Sequence, residues 1–331
     1  MSTSPMIPLS VLDLIPVREG GSVRESLVEA AKNAQVAEAA GYSRYWVAEH
    51  HGMDGIAGGA TSVVLAHIGA ATSRIRIGAG GIMLPNHTPY VIAEQFGTLD
   101  AMFPGRVDLG LGRAPGADGR LAYALRKDIR QASENFPQDV VELRARFAGD
   151  PAVGVAAPQA AGAQVSMWIL GSSLFGAQLA AMLGLPYAFA SHFAPAQLDQ
   201  AARIYRERFE PSETLDKPHF MPAINVMTAK TDEEAWYLAS TNDQSFVALR
   251  TGTPGPSKPP VRDYRQSLPP QSLAMLDQMR SVSAIGSPET VRAGIAAFAA
   301  RTQADELIIS GSTYEPEAMR RSLELTMQAI S

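Results

Sequence analysis

Glu49, His50 and His51 follow directly on the apolar run Tyr45-Trp46-Val47-Ala48, so one carboxylate and two imidazoles stand where a hydrophobic segment ends. An imidazole exchanges protons near neutral pH and a carboxylate beside it can orient it, which makes the trio a candidate for proton transfer. No metal is expected at the adjacent histidines. Neighbouring strand residues point to opposite faces, and a zinc site wants spaced ligands with a further Cys, His or carboxylate in support. The plainer alternative is a Glu-His pair that only satisfies hydrogen bonds at a loop mouth.

Two glycine-rich runs, Gly78-Ala79-Gly80-Gly81 and Gly110-Leu111-Gly112-Arg113, invite a nucleotide-loop reading. Neither fits G-x-G-x-x-G with an acid at the right distance, nor a P-loop with its lysine, so a pyridine-nucleotide fingerprint is absent. What remains is Arg113, directly after an apolar strand-like segment that ends at Gly112, and the helix start Gly171-Ser172-Ser173. Free N–H groups at a helix N-terminus favour a phosphate, and an arginine can hold one with two bonds. An ordinary strand-to-helix loop with an N-cap serine would read the same way. Gly78, Gly80 and Gly81 inside a strand are costly unless something approaches the backbone closely, and the plane of a ligand could lie against them.

The elements that must position these groups alternate regularly. Strands are expected over 8–14, 43–49, 75–84, 106–111, 165–170, 187–191, 220–228 and 306–310, each followed by a helix-patterned stretch. Gly41 is placed to stop the first helix, which spans 22–40, and a long helical region covers 118–148. Strands separated by helices without hairpin signals imply a parallel sheet wrapped in helices, and eight such units imply a (β/α)8 TIM barrel. The carboxyl ends of barrel strands face the active site, which is where Glu49–His51, Arg113 and Ser172 would stand. The Pro-, Gly- and Lys/Arg-rich stretch from 251 is expected to be a mobile insertion, spanning 251–282, over the barrel mouth before the last strand. No break in composition divides the 331 residues, so one domain over 1–331 is expected.

A net charge of -5 gives no electrostatic footprint for nucleic acid. There is no apolar run long enough to span a bilayer, and MSTSPMIPLS lacks the basic-then-apolar pattern of a secretory signal, so a cytoplasmic location is expected. With 0 cysteines, thiol nucleophiles, disulfides and Cys-ligated metals are excluded, and any redox chemistry must come from a bound cofactor.

The series W-V-A-E-H-H (46–51), I-G-A-G-G-I-M-L-P-N-H (77–87), A-E-Q-F-G-T-L-D (93–100), G-R-V-D-L-G-L-G-R-A-P-G (105–116), W-I-L-G-S-S (168–173) and L-G-L-P-Y-A-F-A-S-H (183–192) resembles the bacterial luciferase-like flavin monooxygenases. It is most similar to their single-chain, alkanal monooxygenase-like branch. The resemblance runs from about Pro8 to the last helix and includes S-A-I-G-S-P-E-T-V (283–291).

It implies an FMN site at the barrel mouth, with His50 acting in proton transfer and His51 beside it. It also implies a non-prolyl cis peptide at Gly80-Gly81 under the flavin ring, and a phosphate held by Arg113 and Ser172. Phe175-Gly176 stands where relatives often carry a further phosphate-binding hydroxyl, and a second phosphate arginine has no secure match, Arg120 and Arg126 being candidates. The implied reaction is a monooxygenation in which reduced FMN and O2 form a C4a-hydroperoxide that oxidises a small, largely apolar substrate such as an aldehyde. Reduced flavin would come from a separate NAD(P)H:flavin reductase. A homodimer through helices 61–72 and 88–102 is implied as well. Two other readings stay open: hydride transfer with the deazaflavin F420, and flavin binding without turnover.

Overall fold

A computed structural model of the chain describes residues 7–114 and 119–331; Pro115 and Gly116 of the 105–116 motif lie outside the described residues. The strands are β1 (Leu9–Asp13), β2 (Arg44–Val47), β3 (Arg76–Met83), β4 (Val107–Gly112), β5 (Ser166–Gly171), β6 (Tyr187–Phe189), β7 (Phe220–Thr228), β8 (Ser283–Gly286) and β9 (Leu307–Ser310). All the pairings are parallel, and eight strands close a ring in the order β1 to β7, then β9, which pairs back onto β1. This is the expected TIM barrel.

β8 stands outside the ring, paired to the second half of β7 (Asn225↔Ser283 to Thr228↔Gly286). The sequence reading does not contain this strand: its four residues are too few to show a period of two. The segment before it carries a helix, Pro270–Arg280, whose Leu276 and Met279 pack with Phe246. The helical region 118–148 is three helices, Gly119–Leu125, Ile129–Glu134 and Phe136–Ala148. Asp128 caps the second, and a proline stands in the first turn of the third.

Strand residues alternate between two cores. One set, including Tyr45, Val47, Ile77 and Leu109, packs outward against the helices. The other fills the barrel: Leu12, Trp46, Ala48, Trp168, Met221, Ala223 and Ile308. Trp46 and Trp168 meet edge to face at 5.2 Å between ring centres. Beneath them, at the starts of the strands, fully buried Asp108 accepts from Arg44 Nη1 at 2.8 Å, Arg76 Nε at 2.8 Å and Trp46 Nε1 at 3.0 Å. Arg44 Nε also reaches Glu306 at 3.0 Å. That network closes the amino end of the barrel and leaves the carboxyl end for chemistry.

Candidate active site

Gly78, Gly80 and Gly81 lie inside β3, whereas the polar groups singled out above stand at the carboxyl ends of their strands. Glu49 to His51 follow β2, Arg113 follows β4, and Ser172 and Ser173 follow β5. The histidines, however, do not act as one cluster with Glu49.

Glu49 is buried, and its Oε1 accepts from two imidazoles: His51 Nε2 at 2.5 Å and His87 Nε2 at 2.7 Å. Its Oε2 accepts the Met83 backbone N–H at 3.1 Å. Burial by itself raises the Glu49 pKa, but the bonds to His87 and His51 outweigh it, and the carboxyl titrates below its ordinary range. His87 comes from the turn after β3, and Lys127 Nζ holds its carbonyl at 2.8 Å. The end of the third strand puts Asn86 and His87 at the mouth in the sequence, but the bond from His87 to Glu49 is visible only in the structure. One donor atom from each of Glu49, His51 and His87 lies within 4.8 Å of the others, a set that a divalent ion could use. Here each is already engaged by the shared hydrogen bonds.

His50 turns elsewhere. Among the described residues its Nδ1 is buried without a partner, and burial lowers its pKa despite the nearby Glu49 charge. His192, in the loop after β6, repeats the pattern: Nδ1 is buried without a partner, and burial, reinforced by the neighbouring His50, pushes its pKa down to about 4. Asn225 Nδ2 fixes the His192 backbone through its carbonyl at 2.7 Å. Two uncharged imidazoles with idle buried nitrogens thus stand close enough to influence each other. In the sequence His192 shows only as the residue that ends the strand at 187–191. A polar residue at a barrel strand tip was the available signal.

β4 and β5 run side by side with Gly112 opposite Leu170, so Arg113 and Gly171-Ser172-Ser173 leave the barrel together. Ser173 takes the N-cap position of helix Leu174–Leu183 without a side-chain cap hydrogen bond. The Arg113 guanidinium carbon lies 3.9 Å from the centre of the Phe175 ring, which places the charge over the first turn of that helix. The Gly80-Gly81 peptide is cis. A Cβ on Gly80 would stand 2.7 Å from Leu12 Cδ1, and one on Gly81 2.6 Å from the Gly110 carbonyl oxygen. Close approach by protein atoms therefore accounts for both glycines before any ligand is considered.

The luciferase-like monooxygenase family model matches residues 7–306 of the chain. The chain belongs to that family. It is 46% identical over 326 residues to a luciferase-like monooxygenase of Escherichia coli K12, covering 98% of this chain and 97% of that one. It is 35% identical over 254 residues, 75% of each chain, to an N-acetyl-S-alkylcysteine monooxygenase of Bacillus subtilis. The crystal structure of apo-MsnO8 superimposes with a TM-score of 0.87 at 30% identity, covering 98% of both chains. Phe175 lies in the first turn of the helix that follows β5. Its ring carries the arginine that leaves β4.

Proposed function

We propose that the chain is an FMN-dependent monooxygenase that uses reduced flavin and O2 to oxidise a small, largely apolar substrate such as an aldehyde. The observation that carries the cofactor reading is Arg113, stacked on Phe175 above a helix N-terminus whose Ser173 hydroxyl caps no backbone group. Positive charge, free N–H groups and an unused hydroxyl converge there, which fits a terminal phosphate. Family membership supports a flavin ring extending from that phosphate across β3.

Bound reduced FMN would supply the activation of O2, and the protein's own residues would orient it, exclude water and handle protons. His50, uncharged and with Nδ1 free, is the proton-transfer group. Glu49 holds His51 and His87 as a fixed wall beside it. Gly112 and Gly171, at the carboxyl ends of β4 and β5, would flank the phosphate. A separate NAD(P)H:flavin reductase supplies the reduced cofactor, in keeping with the absence of a nicotinamide fingerprint. The chain works as a homodimer through helices Thr61–Ala71 and Pro89–Met102, which expose Val63, Val91 and Met102.

The deciding experiment is anaerobic titration with reduced FMN and, separately, with reduced F420, followed by O2 uptake with aldehydes and other small apolar compounds. Saturable FMN binding with substrate-dependent O2 uptake supports the proposal. Preference for F420 with no O2 uptake replaces it by hydride transfer, and FMN binding without any turnover leaves a flavin-binding protein.

A further inference from the structure

A chamber of about 130 Å³ opens between β1, β7 and β9, under the segment that holds Gly255 and Ser257. Its lining contains none of Gly80, Gly81, Arg113, Ser172 or Ser173, so it lies on the opposite half of the barrel mouth from the phosphate candidates. Met53, Phe193, Phe246 and Met279 make most of its wall apolar. Its polar groups are largely occupied. Ser312 Oγ donates to Asn242 at 3.5 Å, and Asn225 Nδ2 donates to the His192 carbonyl at 2.7 Å. The His192 ring is the exception, with Nδ1 buried and without a partner.

A buried polar nitrogen with no partner is costly, and the cost disappears when the ring turns about its Cβ–Cγ bond to present that nitrogen to an occupant that supplies the missing bond. We propose that this chamber is the substrate pocket and that His192 selects its occupant, a compact, mostly apolar molecule with one hydrogen-bond acceptor. The proposal rests on the flavin reading above, which assigns the β3–β5 half of the mouth to FMN. An uncharged imidazole carries one N–H and one lone pair, so an acceptor oxygen satisfies the ring while the rest of the molecule meets Phe193, Phe246 and Met279. Size narrows the class further. An engineered apolar cavity of about 150 Å³ holds benzene, so this chamber fits a ligand of roughly six to eight non-hydrogen atoms.

The experiment compares cyclohexanone, benzene and cyclododecanone binding to the FMN-loaded protein by calorimetry, after a separate FMN titration. Cyclohexanone should bind about tenfold more tightly than benzene, the effect of one hydrogen bond to a previously unpaired group, and cyclododecanone should not bind. His192→Phe should bring the cyclohexanone and benzene affinities together while the FMN affinity stays unchanged, and His192→Gln should keep part of the preference. Equal affinities in the wild-type protein, or a preference that survives His192→Phe, overturn the inference without needing any other variant. Failure of the wild-type protein to bind FMN, with the cyclohexanone preference intact, would instead sink the flavin reading and leave the role of His192 standing.

Discussion

Arg113 lies over the Phe175 ring, guanidinium carbon to ring centre 3.9 Å, although the two belong to different strand-helix units of the barrel. An arginine on a loop otherwise loses side-chain freedom when it binds a phosphate. Stacking removes part of that freedom beforehand and leaves the N–H edges available.

Phe175→Ala should therefore weaken FMN binding about two- to fivefold, the range of a partly exposed cation–π contact. Arg113→Ala should weaken it by about tenfold or more, because a charged hydrogen bond to phosphate goes with it. Flavin fluorescence titration measures both. If Phe175→Ala binds FMN as the wild-type protein does, the ring is no platform.

His50 and Glu49 are expected to separate in a second experiment. His50→Ala removes an imidazole that holds nothing in place, so FMN affinity should stay within about twofold while turnover drops by roughly 100-fold or more. Glu49→Gln instead disturbs two histidines and the Met83 N–H together. It should lower stability by about 1–3 kcal/mol, the cost of leaving buried partners unsatisfied. Unchanged turnover in His50→Ala would take His50 out of the mechanism.

The barrel was legible in the sequence because each ring strand, apart from the short β6, is an apolar run between helical stretches with clear stops such as Gly41. β8 was not, since Ser283–Gly286 offers only Ala284 and Ile285 as a signal. The placement of Glu49, Arg113 and Ser172 just past strand ends was also legible one strand at a time. Their partners were hidden. His87 reaches Glu49 only once β2 and β3 lie side by side. His192 joins His50 across the mouth from β6, and the use of Phe175 under Arg113 depends on the register of β4 against β5. Linear spacing carries none of these.

Acid should destabilise the protein in two stages. The folded His192 pKa is about 4 against an ordinary 6.5, so the unfolded chain binds the proton more readily throughout that interval. Stability is then full above about 6.5 and falls as the pH drops toward 4, by up to roughly 3 kcal/mol, with His50 contributing in the same direction. Glu49 has the opposite chemistry and a lower window. Its folded pKa lies below the ordinary 4.5, so its contribution is present above 4.5 and disappears as the pH falls through the folded value. Urea unfolding of the wild-type protein and His192→Phe between pH 7 and 4 tests the first stage. The variant should show a shallower decline, and parallel curves would contradict the assignment.

The amino end of the barrel should respond in the reverse pattern. Asp108 is the common acceptor for Arg44, Arg76 and Trp46, and it is fully buried. Asp108→Ala leaves two guanidinium groups short of a partner. Arg44 keeps Glu306 and Arg76 still reaches solvent, which limits the loss to about 3 kcal/mol, near the lower end for a broken buried pair. For a chain of this size that corresponds to a fall of roughly 5 °C in Tm. Five residues of extended strand separate Asp108 from Arg113, about 16 Å at the usual rise. The folded fraction should therefore bind FMN with wild-type affinity, whereas Arg113→Ala should lose affinity and keep its Tm. Calorimetric melting together with FMN titration of both variants checks this. Weakened flavin binding in Asp108→Ala at an unchanged Tm would mean that the two ends of the barrel do not divide stability and chemistry between them.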